Sequence, residues 1–409
     1  MAASISSLSA ALKNFYIGPI QDQLNNEIEM FKLMEELDVE WSGKAAIIPM
    51  RTGRNSAVGA VAENATLPTA GQEEYKDLTV TAGYVFGRFQ FTDQAVSATA
   101  KSAGSFGTIM QLEMEKLVED VKVFCNFRAF TGGRVLGFVW QKQNATTFQY
   151  SGRHRDVSVG AGNSVKFVRL DDFTDVGVAT QLNAISATSL TLNAPGINTS
   201  GVDAGVILAV VSVTGTPTTA NTSYDAEPVG IFGNLAAQSH FGQARTATTS
   251  WNGTIVGQGN ADVYGALDLS DLQGVMDTIL DESGKEIDYF WTNPTNRQGY
   301  TSLLQGTNAA NLFTTTREGA KAGDAGFSAI GYNGKPIRTS QGAPKGSWVL
   351  MHSKDWKRLT LQAGGFAQED GKILNKVPNV AAYEGFWRMY YNTVCLMPRS
   401  NGIITAVQP

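Results

Sequence analysis

The chain has 409 residues, more than one hydrophobic core usually organises, so two or more domains are expected. Only 17% of the residues are Asp, Glu, Lys or Arg, against roughly 25% in ordinary soluble domains, which suits a surface largely covered by neighbours. A net charge of −5 leaves no basic footprint for nucleic acid, and two cysteines, Cys125 and Cys395, make no disulfide framework and read as small core residues.

Met1 to Leu8 has neither a basic n-region nor a continuous apolar h-region, and the first cation is Lys13, so no secretion signal is expected and the chain reads as soluble and cytoplasmically made. The longest apolar run, Gly205 to Val213, falls far short of the roughly 20 residues a membrane helix needs. Pro19 suits a first helical position, and Ile20, Leu24, Ile28, Phe31 and Leu37 then mark one face up to Asp38. From Pro19 to Glu40 seven acidic residues, among them Glu27, Glu29, Glu35 and Glu36, stand against one lysine. Such a run is commonly a solvated face. The sharper reading is an acidic arm that docks on a basic neighbour, with Arg51 and Arg54 as its candidate partners.

Residues 43 to 95 read as extended chain. It leaves on Ile47-Ile48 and comes back through Leu78 to Thr81 and Tyr84 to Phe91, where Val85, Phe89 and Phe91 share one face of a period-2 strand. Between them Val58 to Glu74 has no period and almost no bulky apolar residue. A compact domain rarely holds a connection of that length, so the segment is either disordered or ordered by something outside the subunit.

A strong helix follows from about Thr108 to Phe130. Thr108-x-x-Gln111 reads as a capping box, Met110, Met114, Leu117, Val121 and Phe124 form an apolar stripe, and Gly132-Gly133 supply the stop. Glu113 with Lys116, and Glu119 with Lys122, are spaced to pair on the wet side.

Residues 136 to 245 change character. Short alternating runs at Val165 to Val168, Ser189 to Leu192 and Val206 to Val211, among frequent turn residues, predict a small β-barrel or sandwich of its own. From Leu267 the pattern is mixed: a helix capped by Ser270-x-x-Gln273 and ended by Gly284, a strand Ile287 to Trp291 closed by Asn293-Pro294, and a helix through Tyr300 to Leu304. Further strands are predicted at Ser347 to Met351, Trp387 to Leu396 and Ile403 to Val407, with a helix near Asp355 to Gln362.

No catalytic, cofactor-binding or metal-ligating constellation emerges. His154, His240 and His352 are far apart and outside any ligand spacing, and Gly326 to Gly331 misplaces the second glycine of a nucleophile elbow. Gly331 to Pro336 lacks the spacing of a phosphate loop, and Asp171, Asp172 and Asp175 read as a solvated turn. An enzyme is the class these residues support least.

The order of parts resembles the major capsid proteins of tailed bacteriophages, with the Hong Kong 97 fold. The resemblance rests on an N-terminal arm (1–42), an extended loop (43–95), a spine helix of a peripheral domain (96–135) and a mixed apical region with return strands (246–409). Phrases such as Gly53 to Ala60, Thr66 to Gly71 and Tyr84 to Arg88 look like those of such coat proteins. Residues 136–245 depart from the minimal fold and look like an inserted β-rich domain, so the expected class is α+β. The resemblance implies a structural, virion-forming subunit that self-assembles into hexamers and pentamers, its loop lying across a neighbour, to build an icosahedral shell that encloses double-stranded DNA without reading its sequence. It implies a portal and, because the loop begins by residue 43, a separate scaffolding protein; a decoration protein would be a further partner. Neither cofactor nor membrane is implied. Some relatives crosslink Lys to Asn with a Glu as base; Lys76 and Glu63 stand in the loop, but no acceptor Asn aligns. The interface candidates are thus Arg51, Arg54, Glu63, Lys76, Glu27, Glu29, Glu35 and Glu36. Two rival readings are an encapsulin-like cage around cargo and a secreted β-rich adhesin or surface-layer protein.

Overall fold

The computed structural model describes residues 29–43, 45–94, 103–131, 135–142, 144, 146–152, 164–169, 175–186, 189–193, 207–212, 228–236, 239–244, 251–257, 267–306, 330–368 and 373–405. The calls at Pro19 to Ile28, Gly132-Gly133, His154, Asp171-Asp172 and Gly326 to Ala329 lie outside these residues.

A short helix, Glu29–Leu33, leads into strands β1 (Glu35–Glu36), β2 (Trp41–Ser42), β3 (Ala45–Gly53), β4 (Glu74–Thr81) and β5 (Gly83–Thr92), then the long helix Ala103–Thr131. Six strands follow: β6 (Val135–Lys142), β7 (Thr147–Gly152), β8 (Ser164–Arg169), β9 (Asp175–Ile185), β10 (Ser189–Leu192) and β11 (Ile207–Ser212). The helix Ile231–Ala236 precedes β12 (Ser239–His240), β13 (Gln243–Ala244) and β14 (Thr254–Gly257). Helix Leu269–Ser283, β15 (Tyr289–Thr292), helix Pro294–Gly306, β16 (Gly331–Tyr332), β17 (Lys335–Thr339), β18 (Trp348–Met351), β19 (Trp356–Phe366), β20 (Asn375–Lys376), β21 (Ala382–Cys395) and β22 (Gly402–Thr405) complete the chain.

One sheet is built round β21, which pairs antiparallel with β19 on one side and with β5 on the other, while β1 runs parallel along β19. On β5 burial alternates, with Val85, Gly87, Phe89 and Phe91 inward, as the period-2 pattern requires. The long helix lies on that inward face. Leu117, Val121 and Cys125 meet Val85, Trp387, Met389 and Tyr391, and Met114 and Leu117 meet Phe89 and Phe91. Apart from Lys122 and Phe124, the helix is buried from Val121 to Phe130, because its last turns pass under a second sheet.

That second sheet is mixed, in the order β14-β22-β18-β15-β17-β16. Successive side chains take opposite faces. Phe290, Leu350 and Ile404 pack against Leu272, Val275 and Ile279 of one helix, while Trp291, Val349, Met351 and Ile403 pack against Ala129 and Phe130 of the long helix. The mixed sheet thus carries one core on each face, and the long helix ties one of them to the core under the β21 sheet.

Between the long helix and Ser212 the six strands close a barrel in the order β10-β7-β6-β11-β8-β9. Phe148, Val165, Phe167, Leu182, Leu190 and Leu192 are buried, with the Phe148 and Phe167 rings 5.1 Å apart. Its entry and exit strands pair, Val135 standing opposite Val210.

Several sequence boundaries are corrected. The long helix begins at Ala103, so Thr108 is inside it and no cap; and Lys116 bonds Glu119 across one turn. The helix Leu269–Ser283 is capped by Asp268, whose carboxylate accepts the Ser270 N–H, and is stopped by Gly284 at φ 68°. The acidic-arm helix stops at Leu33, because Glu35 and Glu36 take up strand pairing with Lys357 and Arg358. Trp356 to Phe366 is a strand and not a helix; the spacing of Trp356 and Leu359 looks helical, but β21 offers the whole segment a hydrogen-bonding edge. Residues 136–245 are not one unit, since Ile231, Phe232 and Leu235 belong to the core that holds Trp291 and Met351.

Candidate functional site

The feature that stands apart from the cores is a hairpin. β3 and β4 pair antiparallel from Ala45 opposite Thr81 to Gly53 opposite Glu74, with β2 as a short third strand. The outgoing and returning strands are thus β3 and β4, and the return does not extend to Phe91 as its periodicity suggests, because β5 belongs to the β21 sheet. At the root, Ala46, Leu78 and Val80 are buried against Trp251, Leu359 and Val394. Beyond it, residues 54–73 carry no regular structure, and Val58 and Leu67 are 87% and 77% exposed. Apolar side chains in that state have a partner to gain by burial, each worth about 1.5–3 kcal/mol if fully covered.

The candidate charges divide between the hairpin and the arm. Arg51 pairs with Glu73 across the hairpin at 2.9 Å, and Glu73 also accepts the Tyr75 hydroxyl at 2.6 Å, a bond that raises the phenol's pKa. Arg54 and Glu63 are exposed beyond the paired strands, and Lys76 stands on β4 opposite Met50. Glu35 accepts from Lys357, which holds its carboxyl below the usual range, and Glu36 lies 3.5 Å from Arg358. Within one subunit, therefore, Glu35 and Glu36 meet Lys357 and Arg358 of β19 instead of Arg51 and Arg54. Glu29 borders a cleft lined by Arg297, Arg338 and Thr339, and Glu27 lies outside the described residues.

Sequence reading missed a second surface. On the outward face of β5 and β21, opposite the long helix, Tyr84 and Phe86 pack edge-on against Tyr390 with ring centroids 5.0 and 5.7 Å away, and Arg88 pairs with Glu384 beside them. Tyr84 and Phe86 remain largely exposed. The signal was present as the other half of the period-2 pattern on β5, aromatic where a solvated face would be polar.

Near His352 a serine and a carboxylate gather without forming a relay. The Ser353 hydroxyl donates to Asp288 at 2.7 Å, while the imidazole Nδ1 sits 2.8 Å from the Glu286 carbonyl. A nucleophile needs its hydroxyl on the base. Here the bonds tie the segment 352–353 to residues 286–288 just before β15, a structural clasp between two parts of the chain.

No protein-family model and no curated protein matches the sequence. Solved structures do. The chain matches a subunit of the cyanophage A-1(L) capsid asymmetric unit at TM-score 0.58 and 9% identity, covering all of both chains. It also matches a subunit of the capsid of a native GTA particle at TM-score 0.50 and 10% identity, covering 99% of each. An encapsulin of Synechococcus elongatus PCC 7942 aligns at 0.45 and 10% identity over 100% of this chain and 96% of that one, too loosely to weigh. The fold of this chain is the one that phage capsid subunits share.

Proposed function

We propose that the chain is a major capsid protein, a structural subunit that self-assembles into the icosahedral shell of a tailed-phage virion around double-stranded DNA. The observation that carries this reading beyond the fold is the β3–β4 hairpin, rooted in the subunit's core and presenting Val58 and Leu67 largely exposed. A loop of this form gains its burial from a second copy. The absence of a basic excess fits a shell that encloses DNA without reading it.

In Hong Kong 97 terms, residues before β3 are the N-terminal arm and β3 to β4 the extended loop. The long helix with β5, β19 and β21 forms the peripheral domain, the sheet from β14 to β22 with its two flanking helices the apical domain, and the barrel Val135–Ser212 the insertion. Arg54 and Glu63 are then contact residues of the loop, with Arg51, Lys76, Glu27, Glu29, Glu35 and Glu36 as further subunit-interface residues. Assembly into hexamers and pentamers, with a separate scaffolding protein, a portal and a decoration protein as partners, completes the proposal.

The test is expression of the full chain with and without a scaffolding partner, followed by negative-stain microscopy. Shells, sheets or capsomer rings are expected. The double variant Val58→Ser, Leu67→Ser should fold with unchanged thermal stability and fail to assemble. A chain that stays monomeric under every condition would overturn the reading, as would assembly unaffected by the double variant for the role of the loop.

A further inference from the structure

The segment between the barrel and β14 holds a buried histidine whose protonation state is dictated by its partners. His240 is 1% exposed. The Trp251 Nε1–H donates to its Nδ1 at 2.8 Å, and because an indole nitrogen only donates, Nδ1 is bare. The other nitrogen, Nε2, lies 3.1 Å from the Asn234 side-chain oxygen. That amide cannot be turned round: its nitrogen donates to the carbonyls of Gly230 and Thr393 at 2.9 and 3.1 Å, and its oxygen also accepts the Cys395 N–H at 3.0 Å. Nε2 therefore carries the hydrogen and donates it. These contacts fit only a neutral imidazole, since a proton on Nδ1 would face the indole N–H and bury a charge.

What the imidazole joins is as specific as its tautomer. On one side Asn234 binds the Ile231–Ala236 helix to β21, in the core of the subunit. On the other, Trp251 packs into the cluster of Ala46, Leu78 and Val80 at the root of the hairpin. The residues next to His240 continue the link, the Phe241 carbonyl accepting the Thr79 N–H at 3.1 Å and the Gln243 side chain donating to the Asp77 carbonyl at 2.8 Å. Among the described residues, the elements packed round the ring bring little charge. The Ile231–Ala236 helix and Trp251 to Gly253 have no charged side chain, Thr393 to Cys395 brings the Cys395 thiol, and β4 brings exposed Asp77 and half-buried Lys76.

We propose that His240 is an acid-sensitive latch that holds the root of the β3–β4 hairpin to the helix Ile231–Ala236 and β21. Histidine is the side chain whose charge ordinarily changes between about pH 5 and 8. Because the closed latch takes only the neutral ring, while a released ring takes up a proton freely, closure is at full strength above that range and weakens as pH falls through it.

The Thr79 amide reports the latch in the intact chain. Corrected for intrinsic exchange, its hydrogen exchange should rise at least about tenfold between about pH 7.5 and 5, relative to the Leu350 amide of β18 in the mixed sheet, as about one unit of differential proton affinity requires. His240→Gln, which can still donate and accept but does not titrate, should abolish that rise. An equal rise in the variant, or none in the native chain, would overturn the proposal. Should the variant fail to fold, the native chain's imidazole 15N spectrum decides. His240 should be neutral and Nε2-protonated at the upper pH and should titrate together with the loss of protection at Thr79; protonation at the upper pH, or titration that leaves Thr79 unchanged, sinks the latch.

Discussion

Gly87 of β5 and Leu117 of the long helix leave no room between them: a Cβ built on Gly87 would stand 3.0 Å from the Leu117 Cδ1, and equally 3.0 Å from the Val121 Cγ2. The glycine is what lets the helix rest on the sheet. Gly87→Val should therefore cost about 1–3 kcal/mol through overpacking, measured as a fall in denaturation midpoint at unchanged slope. The pair Gly87→Val, Leu117→Ala should recover part of it, since the two sites share one contact. Additive losses would show that the clash with Leu117 is not the source of the Gly87→Val cost.

Leu117→Asp places a carboxylate between Val85 and Phe89 and should cost about 3 kcal/mol or more. Glu113→Gln, on the same helix, should change stability by less than about 0.5 kcal/mol. If this second variant folds but cannot assemble, that face is a contact between subunits.

Asp355 ties the C-terminal strands together. Its buried carboxylate, 7% exposed, accepts from Lys285 Nζ at 2.7 and 2.9 Å and from the Ser400 hydroxyl. Lys285→Met removes the cation and leaves the charge in place, which should cost about 2–3 kcal/mol, the lower end for a buried pair because the lysine is partly exposed. Asp355→Asn, which keeps an acceptor for Ser400, should cost less. Urea denaturation of the two variants checks the order.

The barrel should be removable, because Val135 and Val210 are strand partners and the chain leaves close to where it entered. Replacing residues 137–208 with a short Gly/Ser linker should preserve the thermal transition of the rest. Extending the replacement to 245 should abolish folding, since it takes out Ile231, Phe232 and Leu235. Folding after the longer deletion would remove that helix from the core.

Both cysteines are buried thiols outside any disulfide, and burial pushes the Cys125 thiol up to about 11. Neither should react with a maleimide until the chain unfolds, so labelling at pH about 8 should track the unfolding transition. The sign of the linkage is that the unfolded thiol ionises first: stability from Cys125 is intact below its ordinary value of 9.0 and declines as pH rises toward about 11. Labelling of Cys125 in the native state would mean that the helix opens locally over Tyr391.

Periodicity was enough to place what depends on local pattern. The alternation on β5, the apolar stripe through Leu117 and Val121, the helix ending at Gly284 and the short strands of the barrel were all legible, because side-chain period and backbone conformation are properties of neighbouring residues. The resemblance to capsid proteins rested on their order. What only the tertiary structure decided was partnership. Trp356 to Phe366 has a spacing that a helix would also accept, and it is a strand because β21 lies beside it. Glu35 and Glu36 read as a helix face in search of arginines, yet they pair with Lys357 and Arg358, more than 300 positions away in sequence. His240 looked like one histidine among three, and nothing local to it says that Asn234 and Trp251 fix its tautomer. A hydrogen bond or ion pair across the chain depends on where the backbone goes, and a sequence carries that information only through the whole of the packing.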